Sequence, residues 1–92
     1  MIVRILGEGQ FGLTDEAVPT LNELDAALEA AVLGGDEATF AAALAALLEA
    51  VRTHGTPLPV DSLDESDAIL PPADASIAEV QELLSDDGLI PG

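Results

Sequence analysis

The chain contains no cysteine, tryptophan, tyrosine or lysine, and Arg4 and Arg52 are its whole complement of permanent cations. Without cysteine it has no disulfide, no thiolate metal site and no thiol nucleophile, and an unstapled core fits a reducing compartment. Two cations leave almost nothing to neutralise phosphates, which excludes direct DNA or RNA binding as a leading function. The same shortage removes the attraction of Lys and Arg to an anionic membrane surface. No long apolar run exists either: the longest uncharged stretch, residues 38–48, has 11 residues, about half of the roughly 20 needed to span a bilayer. Residues 1–6 are too short for the charged and apolar regions of a signal peptide, so the start is expected to be that of a mature chain.

What is present is 92 residues with 18 acids, a formal charge of −16 and 49% hydrophobic residues. That length holds one core at most. The apolar content is far above that of an acidic disordered tail, so the chain is expected to fold as a single domain over 1–92. A carboxylate surface this dense is also what high-salt adaptation produces, but the Ala- and Leu-rich content fits an ordinary source with a biased composition as the explanation of the missing lysine.

Residues 1–14 read as a β-hairpin: Ile2, Val3 and Ile5 precede Gly7-Glu8-Gly9-Gln10, and Phe11-Gly12-Leu13 follow. From residue 20 the period becomes helical. Thr20 with Glu23 forms a capping box, Pro19 stands just before it, and Leu21, Leu24, Leu28, Ala31 and Val32 form a stripe that Gly34-Gly35 ends. Asp36 is the next N-cap, and Phe40, Leu44, Leu47, Leu48 and Val51 carry a second helix to His54, with Ala41, Ala42, Ala43, Ala45 and Ala46 expected to allow close approach. So short a connection makes 20–54 an antiparallel helical hairpin. Residues 55–75 hold Pro57, Pro59, Pro71 and Pro72 and read as an extended loop with one short edge strand at 67–70 as a third strand. Ser76 with Glu79 caps a short helix over 76–87. The fold class is therefore α+β, with a core of Ile2, Val3, Ile5, Leu24, Leu28, Phe40, Leu44, Leu47 and Val51.

No motif supplies a catalytic centre, a cofactor site or a metal site. His54, the single histidine, reads as a helix C-terminal cation rather than a base. The pairs Asp15-Glu16 and Asp86-Asp87 are expected to point apart or into water, with no apolar pocket enclosing them. Asp61, Asp64, Glu65 and Asp67 lack the glycine and the bidentate glutamate of a calcium loop. Gly7-x-Gly9-x-x-Gly12 matches the spacing of a dinucleotide fingerprint, but strand rather than helix follows it, and Glu8 would repel a pyrophosphate. Asp61-Ser62-Leu63 is similar to the modified serine of acyl carrier proteins. Pro71-Pro72 stops the long helix that should follow, so an acyl-carrier-like protein modified at Ser62 is the competing functional reading.

Several strings together resemble one family: Met1-Ile2-Val3-Arg4-Ile5 with Gly7-Glu8-Gly9-Gln10, Leu21-Asn22-Glu23-Leu24-Asp25, and Val51-Arg52 with Gly55-Thr56-Pro57-Leu58-Pro59. Ser66-Asp67, Leu70-Pro71-Pro72-Ala73-Asp74, Glu79-Val80 and Gly88-Leu89-Ile90-Pro91-Gly92 complete the set. The chain resembles PspAA, the small protein associated with phage shock protein A in envelope-stress operons. It departs at Phe11, where Tyr is expected, and at Ala68, where a larger apolar residue is expected. The resemblance implies a non-enzymatic accessory or regulatory protein of the envelope stress response. Its partner is a PspA-like coiled-coil, membrane-remodelling protein, and its place is the cytoplasm, with recruitment to the inner face of the membrane through that partner. It brings no catalytic residues. Partner contacts are expected at Phe11, Leu70, Pro71, Leu89 and Ile90, large apolar groups outside the two long helices; self-association is left open. Sixteen net charges of one sign repel one another in the compact state, so moderate salt should raise the melting temperature by screening over about 8–10 Å; a steady fall with salt would contradict this.

Overall fold

In the computed structural model, which describes residues 1–59 and 66–83, the elements follow the order β1 (Ile2–Ile5), β2 (Gly9–Gly12), α1 (Val18–Gly34), α2 (Glu37–His54), β3 (Thr56–Pro57), β4 (Ala68–Leu70) and α3 (Ile77–Leu83). The architecture is α+β, with a four-stranded sheet in the order β3-β2-β1-β4. β1 and β2 form the expected hairpin, with Val3 opposite Phe11 and Arg4 opposite Gln10. Gly7 and Gly9 take positive φ in its turn, a backbone that glycine adopts without a Cβ penalty. Met1 and Leu13 extend the ladder by a reciprocal pair, the terminal amine donating to the Leu13 carbonyl at 3.0 Å and the Leu13 amide to Met1 at 2.7 Å.

The proline-rich stretch supplies two short strands rather than one. β3 adds antiparallel to β2, and β4 adds parallel to β1 with Val3 opposite Ala68 and Ile5 opposite Leu70. β4 lies at the sheet edge, where proline neighbours are tolerated. Asp67 ties it down: the Asp67 amide donates to the Ile2 carbonyl and the Ile2 amide to the Asp67 carboxylate, each at 2.7 Å. Both edges are blunted against further strands, β3 by Pro57 and by its length of 2 residues, β4 by its length of 3 and by Pro71-Pro72 behind it.

α1 begins two residues before the expected start. Its N-cap position is Ala17, no side chain caps it, and Pro19 stands inside the first turn rather than ahead of a Thr20 cap. A turn already closed by Ala17 donating to Thr14 and Val18 to Asp15 runs straight into the helix. The amide that Pro19 lacks has no intrahelical acceptor at that position. α2 starts as read: the Asp36 carboxylate accepts from the amides of Ala38 and Thr39 at 3.0 and 3.3 Å and from the Thr39 hydroxyl at 3.1 Å. The capping residue of α3 is Ser76, whose hydroxyl accepts from the Glu79 amide at 3.2 Å.

Val3 and Ile5 from the sheet, Leu21, Leu28 and Val32 from α1, Phe40, Leu44, Leu47, Leu48 and Val51 from α2, and Val80 from α3 form one core, which Leu13, Ala68 and Leu70 join. Ile2 and Leu24, expected inside, are half-buried; Ile2 alternates to the face of β1 opposite Val3. Ala41, Ala42, Ala45 and Ala46 are exposed, because the leucine stripe alone faces α1 and the alanines occupy the opposite side of the helix. Gly55 marks the tightest point: a Cβ there would meet the Val51 carbonyl at 2.5 Å and Phe11 Cβ at 3.0 Å. The chain can leave α2 beside β2 only without a side chain, so Gly55→Ala should lower the melting temperature although its φ of −90° suits alanine. Phe40, 4% exposed, should cost about 3–5 kcal/mol as Phe40→Ala, measured by denaturant unfolding, against the roughly 5–15 kcal/mol that stabilises a whole domain.

Candidate functional site

Alternation along β1 sends Val3 and Ile5 into the core and leaves Ile2, Arg4 and Leu6 on the other face. Register carries Gln10 and Ile69 to that same face, since Arg4 lies opposite both. Leu58 joins them, its side chain lying 3.6 Å from where a Gly12 Cβ would stand. Among the described residues no helix covers this side of the sheet. Leu6 and Ile69 are 40% and 44% exposed, two of the three large apolar residues so exposed among those described; the third, Leu33, is at the end of α1.

Arg4 and Ser66 form the polar centre of this face. The Ser66 hydroxyl accepts from Gln10 Nε2 at 2.8 Å and from Arg4 Nε at 3.4 Å. Gln10 is buried and Arg4 exposed. The two arginines differ sharply in their surroundings. Arg52, in the last turn of α2, holds the Glu8 carboxylate of the hairpin turn in a two-pronged ion pair, with Nε donating at 2.8 Å, and its Nη1 lies 3.6 Å from Glu49. Arg4 has no ion-pair partner among the described residues. Hydrogen bonds from Arg52 hold the Glu8 carboxyl below the ordinary carboxylate range; burial opposes them, and the positive charge of Arg52 adds a lesser lowering. The amide and hydroxyl of Thr39 and the amide of Ala38 do the same to Asp36.

Among the described residues, two of the grooves flank these elements. One, of about 180 Å³, runs along Arg4, Glu8, Gln10, Leu58 and Pro59. The other, of about 280 Å³, lies between the start of α2 and the residues before α3, with Glu37, Phe40, Asp74 and Ile77 in its walls. Neither gathers an acid and a base around an enclosed apolar space. His54 is exposed at the end of α2, Asp15 and Glu16 are exposed in the turn before α1, and no group of three His, Asp or Glu side chains among the described residues is placed to hold a metal.

The five residues expected to meet a partner are scattered. Phe11 is half-buried against the core. Leu70 and Pro71 are buried within it, because β4 pairs parallel to β1 and turns Leu70 to the same side as Ile5; they offer no surface to a partner. Leu89 and Ile90 lie outside the described residues, as do Ser62, Asp61, Asp64, Glu65, Asp86 and Asp87. On β4 the outward residue is Ile69, and with Leu6 and Arg4 it makes a surface that the sequence reading missed. The signal for it was the alternation of Ile2, Arg4 and Leu6 against Val3 and Ile5.

The fold thus defines a small, strongly acidic α+β protein whose four-stranded sheet is packed on one face by helices. The chain belongs to the PspA-associated protein family, PspAA, which matches it over residues 1–92. No curated protein and no solved structure matches it.

Depressed carboxyl pKa values contribute stability that is present above the unfolded-state value near 4 and is lost as pH falls through the lower folded-state value. Glu8 and Asp36 therefore steepen acid unfolding below about pH 4. The double variant Glu8→Gln, Asp36→Asn should be less stable than the parent at pH 7 and show a shallower loss of melting temperature on acidification; parallel acid limbs would contradict this.

Proposed function

We propose that this chain is a non-enzymatic accessory protein that binds a PspA-like coiled-coil protein and regulates its membrane-remodelling activity in the envelope stress response. Membership of the PspA-associated family over the full 92 residues carries the reading. The charge of −16 repels an anionic leaflet, and no helix among the described residues is long and apolar enough to cross a membrane. The protein acts from the cytoplasmic side and reaches the membrane through its partner.

In a vesicle sedimentation assay with anionic lipid, the isolated protein should stay in the supernatant and should sediment once a purified PspA-family protein is added. Tight binding to vesicles by the protein alone would overturn the adaptor reading. Deleting residues 89–92 separates two roles for Leu89 and Ile90: weaker partner binding at an unchanged melting temperature marks a contact, and a lower melting temperature marks packing.

A further inference from the structure

No further inference is drawn: the strongest candidate, the groove of about 280 Å³ between the start of α2 and the residues before α3, sets the acids Glu37 and Asp74 beside the apolar Phe40 and Ile77, and nothing in the structure shows what covers it.

Discussion

Everything else in the structure depends on β1 having a partner on each side. Val3 and Ile5 are fully buried, and a central strand must satisfy its backbone groups along both edges. One edge is met locally by β2 through a short turn. The other is met by β4, more than 60 residues further on, through the ladder and the reciprocal bonds of Ile2 with Asp67. The whole helical hairpin is enclosed between these two pairings, so its leucine stripe has only one place to go: the face of the sheet that carries Val3, Ile5, Ala68 and Leu70. Gly55 sits where that path is narrowest and lets α2 hand the chain back to the sheet.

Charge imposes the second constraint. With two cations against 18 acids, most carboxylates can only be solvated. The structure uses one arginine internally, joining the hairpin turn to the end of α2 through Glu8. That pair is about one-third exposed on both sides, so it orients the two elements more than it stabilises them, an exposed pair being worth about 0–1 kcal/mol. The other arginine stands on the sheet face that no described helix covers. The two arginines thus differ in their surroundings: Arg52 joins two elements through Glu8, and Arg4 donates to the Ser66 hydroxyl.

The helices were legible because their signals are local: Asp36 bonds amides two and three residues away, and leucines at helical spacing define a stripe whatever they pack against. The start of α1 was less so. Thr20-x-x-Glu23 has the form of a capping box, yet the turn from Thr14 to Ala17 began the helix earlier and absorbed Pro19. Phe40, Leu44, Leu47 and Val51 could be assigned to the core from periodicity alone. Leu70 and Pro71 could not, since a short apolar string among prolines reads equally as surface or core until its strand partner is known.

By itself, then, the sequence determined the α+β class, the hairpin, the two long helices, the absence of thiol chemistry and the strongly acidic charge balance. Tertiary structure alone decided that β4 runs parallel to β1, that Thr56–Pro57 forms a strand, that Leu70 turns inward while Ile69 turns outward, and that Arg52 finds Glu8 while Arg4 lies beside Ser66. The physical reason is separation: caps, stripes and charge totals act within a few residues or over the whole chain, whereas strand register joins residues 65 positions apart, as in Ile2 and Asp67. A shift of one residue in that register would exchange the buried and exposed sides of the strand.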